Sequence, residues 1–130
     1  MKRAAALLLA LVACGSAGCA STPKYDQQDC PTFTDLGVVR VNPAGAPDRH
    51  LRLEAAFRVC PPGEGLAEIQ RKRIELKHEL IALLSSQTAP ELEDPLRVEK
   101  LRGQVRSMVN EKVLKHSRAV EVYITSLELE

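Results

Sequence analysis

The apolar residues of this chain change period twice, and that change limits what it can fold into. In "HLRLEAAFRV", Leu51, Leu53, Ala55, Phe57 and Val59 alternate with Arg52, Glu54 and Arg58. A period of two predicts a strand with one buried face. From Leu66 to Ser86 the period becomes helical. Leu66, Ile69, Leu76, Leu80, Leu83 and Leu84 recur at three- and four-residue steps, and Ile74 and Ile81 are expected to widen the stripe. Beyond "SSQTAPELEDP" a second helix is expected from about Leu96 to Lys115, burying Val98, Leu101, Val105, Met108, Val109 and Val113. Asp94 followed by Pro95 supplies a cap and a first-turn proline for it. "AVEVYITSLELE" then returns to strand chemistry. It places Val120, Val122 and Ile124 on one face and Tyr123, Thr125, Leu127 and Leu129 on the other.

Upstream, "FTDLGVVRVNP" is apolar and β-branched and stops at Pro43, and "NPAGAPD" is turn chemistry. With the strand that follows, it predicts an antiparallel hairpin. The element order is β-β-α-α-β over residues 33–130. It implies an α+β domain, a small antiparallel sheet with two helices packed on one face. Such a sheet has open edges, which natural proteins cover or block. A second copy of the chain is one cover, so a homo-oligomer is expected.

The chain opens MKRAAALLLALVACGSAGC. Lys2 and Arg3 precede ten apolar residues, Ala4 to Ala13, and small residues follow. That order is the pattern of a secretory signal. The run is short of the roughly 20 apolar residues that a membrane-spanning helix needs. A cysteine after such a run resembles a bacterial lipobox, and the resemblance fits twice. Leu11-Val12-Ala13-Cys14 has the preferred leucine, whereas Ser16-Ala17-Gly18-Cys19 has small residues alone. Either thiol, Cys14 or Cys19, is a candidate to carry the lipid. Cysteine counting favours Cys19, because processing there leaves Cys30 and Cys60 as a single pair in an oxidising compartment. The leucine favours Cys14. With Cys19, residues 1–18 are the signal peptide and residues 19–32 a polar lipid-anchored tether. The acyl chains would hold the domain to a membrane, each buried CH₂ contributing about 0.8 kcal/mol.

Hairpin geometry gives Cys30 and Cys60 a reason to meet. The turn is centred near Ala46, and residues equidistant from a turn face each other in an antiparallel pair. Reflecting Cys60 through that centre lands on Thr32, two residues from Cys30. A disulfide between Cys30 and Cys60 is therefore expected, at the open end of the hairpin.

Several function classes find no support. A formal charge of +1 and the absence of Trp argue against a nucleic-acid partner. His50, His78 and His116 are widely spaced, and His78-Glu79 fails to begin a zinc helix because position 82 is Ala82. No phosphate-binding loop and no C-x-x-C occur. Ser85 and Ser86 fit a helix end, hydrogen-bonded to local backbone, better than a nucleophile. No catalytic residue, cofactor or metal site is predicted. Arg71, Lys72, Arg73 and Lys77 on the first helix, and Arg97, Lys100, Arg102 and Arg106 on the second, have two readings. They are a solvated face with pairs such as Glu68–Lys72 and Glu111–Lys115, or they meet anionic lipid headgroups.

Four blocks in order, "RHLRLEAAFRV", "ELIALLSSQTAPELEDP", "LRGQVRSMVNEKV" and "VEVYITSLELE", resemble the periplasmic domain of the FliL family of flagellar basal body-associated proteins. The most specific piece is Ile81-Ala82-Leu83-Leu84-Ser85-Ser86-Gln87-Thr88; Asn110 and Val122-Tyr123-Ile124-Thr125 also fit. The resemblance covers roughly Phe33 to Glu130. It implies a non-enzymatic domain, stomatin-like in fold, that works in motility beside the flagellar stator of MotA and MotB type, and that forms rings. The alternative is a self-assembling periplasmic scaffold with no flagellar role. Family members normally carry an inner-membrane helix before the domain, and here a lipid anchor stands in its place. The residue after the acylated cysteine, Ala20 or Gly15, is not the aspartate of inner-membrane retention. A periplasmic location on the outer membrane is expected.

Overall fold

The computed structural model describes residues 25–130. A short 3-10 turn, Gln27–Asp29, precedes β1 (Thr32–Phe33), β2 (Val39–Val41) and β3 (Leu51–Cys60). Four helices follow: α1 (Glu64–Arg71), α2 (Arg73–Ser85), α3 (Ala89–Glu93) and α4 (Arg97–Met108). A π-helical turn, Val109–Val113, leads to β4 (Arg118–Leu129). The class is α+β, an antiparallel sheet with helices packed against one face.

The alternating strand is the centre of that sheet. Leu51, Leu53, Ala55, Phe57 and Val59 are all buried. β1 and β2 pair with one edge of β3, and β4 pairs with the other along its whole length. The expected first strand is therefore two short ones, and the register says why. Phe33 faces Phe57 and Val39 faces Leu53, so five residues between the strands oppose three on β3. The surplus loops out through Gly37, whose φ of 80° suits glycine, and tucks Leu36 fully into the core.

β4 departs from strict alternation at two bulges, between Glu54/Ala55 and between Arg58/Val59 of its partner. Each bulge gives β4 one residue more than β3 and turns the following side chains to the other face. Thr125 is the extra residue at the first, and its hydroxyl donates to the Glu54 carbonyl at 3.2 Å. Leu127 and Leu129 therefore pack against the core with Ile124, not beside Tyr123 on the outer face as alternation alone implies. At the second bulge Ala119, rather than Val120, is the buried residue.

The first helix bends at Lys72, whose φ and ψ of −99° and 20° leave the helical region. Hydrogen bonds from Lys72 N to Glu68 O and from Leu76 N to Lys72 O carry the ladder across the bend. Ile69, Leu76, Leu80 and Leu84 are completely buried. Ile74 and Ile81 do not widen the stripe: they are 85% and 38% exposed. At about 100° per residue, Ile74 is some 160° from Leu76, on the opposite side of the helix. On α4, Leu101, Val105 and Met108 are buried, as are Val109 and Val113 beyond it, while Val98 stays exposed at the rim. The second helix ends before Lys115, because Leu114 N bonds to Val109 O at 2.9 Å, and that wider turn leads out into the loop before β4. α3 occupies the proline-bracketed segment, with Thr88 as its N-cap. Asp94 Oδ1 accepts from Leu96 N at 2.7 Å just before α4.

Candidate functional site: the disulfide end and the helix groove

One end of β3 gathers the polar chemistry of the molecule. Cys30 and Cys60 form a disulfide there, with Cα atoms 5.3 Å apart. The two surplus residues between β1 and β2 move the local register by two. That brings Cys30, instead of Thr32, opposite Cys60. The 3-10 turn is pinned beside the bridge by Arg58, which donates to Gln28 at 2.9 Å. Asp26 caps the same turn by accepting from Gln28 N. Arg58 also lies 5.9 Å from the Tyr123 ring centre on the outer face of the sheet. The other two cysteines, Cys14 and Cys19, lie outside the described residues.

Next to the bridge, Gly65 opens α1 so close to β3 that a Cβ would meet the Val59 carbonyl carbon and oxygen at 2.9 Å. One turn on, Glu68 is 2% exposed. Its carboxylate accepts from the backbone N–H groups of Lys115, His116 and Ser117 at 3.1–3.3 Å and from the Ser117 hydroxyl at 2.6 Å. Lys72 lies 3.6 Å away and donates to the Val113 carbonyl at 2.9 Å. Burial pushes the Glu68 carboxyl up. The Ser117 hydroxyl, the His116 and Lys115 N–H groups and the Lys72 charge outweigh it, and together hold the carboxyl at about 2. The expected surface pair Glu68–Lys72 is thus a buried knot tying α1 to the loop before β4. The expected Glu111–Lys115 pair is not among the ion pairs of the described residues; the π-turn leads out of the helix, and Lys115 N goes to Glu68.

Asn110 makes the second tie. Its side chain donates to the Ala119 carbonyl at 2.9 Å and accepts from Ala119 N at 2.8 Å. The amide stands in for a strand neighbour beside the bulge at Val120. At the opposite end of the sheet, the "SSQT" turn has a comparable task. Ser86 Oγ donates to the Leu83 carbonyl at 2.6 Å, so it closes a helix. Buried Gln87 donates to Gln104 at 3.2 Å and accepts from Ala44 N through its backbone carbonyl at 2.9 Å.

Sequence reasoning missed Glu68 as the hub. Its neighbours at four-residue spacing, Glu64 and Lys72, gave it the look of an exposed ion-pair partner, and only the fold reveals the backbone donors 47 to 49 residues away.

A groove of about 710 Å³ runs between α2 and α4, its lining including Glu79, Ala82, Ser86, Gly103, Ser107 and Lys112. Among the described residues no three His, Cys, Asp or Glu side chains cluster as metal ligands, and no helix is long and apolar enough to cross a membrane.

Compared with known families, residues 33–128 match the family model described as flagellar basal body-associated protein FliL. The matched span runs from β1 almost to the end of β4 and so includes both ties and the "SSQT" turn. Comparison with curated proteins gave no match.

Proposed function

We propose that this chain, which belongs to the FliL family of flagellar basal body-associated proteins, is a lipid-anchored periplasmic accessory of the flagellar motor. The observation that carries the reading is the family match, which spans the whole sheet-and-helix domain. The domain works by binding and not by catalysis, and stator proteins of MotA and MotB type are its proposed partners. Attachment by Cys19 or Cys14 to the outer membrane replaces the usual membrane helix. The two ends of β3 divide the work. The disulfide end carries the tether, while the C-terminal residue pairs with His50 at the other end, roughly 30 Å away at about 3.3 Å per residue. The far end is thereby presented away from the membrane.

Self-assembly is part of the proposal. β4 is twelve residues long, and among the described residues only β3 pairs with it. Beyond Ala119, whose backbone groups Asn110 already occupies, its outer edge offers backbone groups to another strand.

The test is a clean deletion in the native host, complemented by the full chain. Swimming speed should fall in the deletion and recover with the wild-type gene. Unchanged swimming, at normal expression of the intact protein in the parent, argues for the scaffold role without a flagellar task. Mass spectrometry of the mature N-terminal peptide separately decides between Cys19 and Cys14.

A further inference from the structure

Four exposed cations, Arg71, Arg73, Lys115 and Arg118, stand on two segments that the ties above join, the bend between α1 and α2 and the loop before β4. Lys72 joins the end of α1 to Val113, and Glu68 holds Lys115 to Ser117 against α1. Tyr25 lines the same shallow hollow as Cys60, His116 and Arg118. None of the four cations has a carboxylate within ion-pair distance among the described residues. The nearest buried acid, Glu68, is already saturated by its own donors. Of the exposed acids, Glu75 follows Ile74 directly, Glu111 lies four residues before Lys115, and Asp26, Asp29 and Glu64 stand at this same disulfide end.

Between Arg71 and Arg73 the chain bends, and the next residue, Ile74, is 85% exposed. An isoleucine this bare, between Arg73 and Glu75, is costly in water and suited to the headgroup boundary of a bilayer. We infer that this corner of α1 and α2, with the loop before β4, docks on an anionic phospholipid surface, the isoleucine entering the interface and the cations meeting phosphate. The inference rests on the lipid anchor. From Cys19 to Tyr25 an extended chain reaches no more than about 20 Å, and from Cys14 about 40 Å. The disulfide fixes where that tether leaves the domain, so the cationic corner is held near the bilayer at high effective concentration.

The chain has no Trp, so a single introduced indole reports its own position. The full acylated protein carrying Ile74→Trp is reconstituted on brominated vesicles, either of phosphatidylcholine alone or with about 30% phosphatidylglycerol. Vesicle flotation is recorded in parallel. A second protein, Leu96→Trp, places the indole at another exposed apolar position, at the start of α4 about 25 Å from the loop. The expected result is a blue shift and quenching of the indole at 74 on the anionic vesicles only, with the indole at 96 unquenched. Adding Arg71→Gln and Arg73→Gln should lower the docked-to-free ratio about fivefold for each cation. Protein that floats with the vesicles while its indole at 74 stays unquenched overturns the docking and leaves the anchor standing. Protein that does not float overturns the anchor and the docking with it. Equal quenching on both lipids overturns the role of headgroup charge, and a blue shift without lipid assigns the corner to a protein contact instead.

Discussion

Glu68 shows what a single buried carboxylate does for this fold. It is the shared acceptor for three consecutive N–H groups and a hydroxyl in the loop before β4. Replacing it by Ala leaves those donors without their acceptor and Lys72 without its counter-charge, and should cost about 3 kcal/mol or more. Glu68→Gln keeps one acceptor oxygen and should cost less, about 1–2 kcal/mol. Urea denaturation of the three proteins measures both. The pH dependence has a definite sign. The folded carboxyl, at about 2, lies below its ordinary 4.5, so the unfolded chain binds the proton more readily. The stabilisation is complete above pH 4.5 and is lost as pH falls from 4.5 towards 2. Over that window the wild type should lose more stability than Glu68→Gln; parallel losses would contradict the role assigned to the charge.

At the scale of elements, register decides what each side chain does. Leu127 faces the core only because of the bulge at Thr125, so Leu127→Ala should destabilise by about 2 kcal/mol. Exposed Ile74→Ala should stay within about 0.5 kcal/mol. Thermal unfolding of the pair tests the bulge, since strict alternation would put Leu127 beside Tyr123. The disulfide closes a loop with a sequence separation of 30. Its reduction should cost about 3–4 kcal/mol in the chain-entropy model. Denaturant midpoints with and without reductant measure it. The same elements mark how far the sequence could be read. Alternation at Leu51 to Val59 and the spacing of Ile69, Leu76, Leu80 and Leu84 were enough to place the central strand and the main helix. The surplus residues around Gly37, the two bulges and the π-turn were not legible, because each changes the count by one or two residues without leaving a compositional mark. Ile74 misled for a related reason: hydrophobicity was visible, but its angle about the helix axis was outside the stripe. The site was half legible. The cysteine pair followed from register, whereas Glu68 depended on donors distant in sequence.

For the whole molecule, the Cys30–Cys60 bridge and the His50–Glu130 pairing lie at opposite ends of β3, and that polarity organises the proposed role. In that proposal one end serves the membrane and the other the motor. Self-assembly along the outer edge of β4 should yield higher-order species by chemical cross-linking of the full chain at its native abundance; a monomer alone would remove assembly from the account. The central claim is association with the flagellar motor, and a pull-down from cross-linked cells of the native host, with the full chain as bait, tests it most directly. The expected result is enrichment of basal-body and stator proteins over an anchored control lipoprotein. Efficient recovery of the bait from swimming cells, with flagellar proteins no more abundant than in the control, would contradict it.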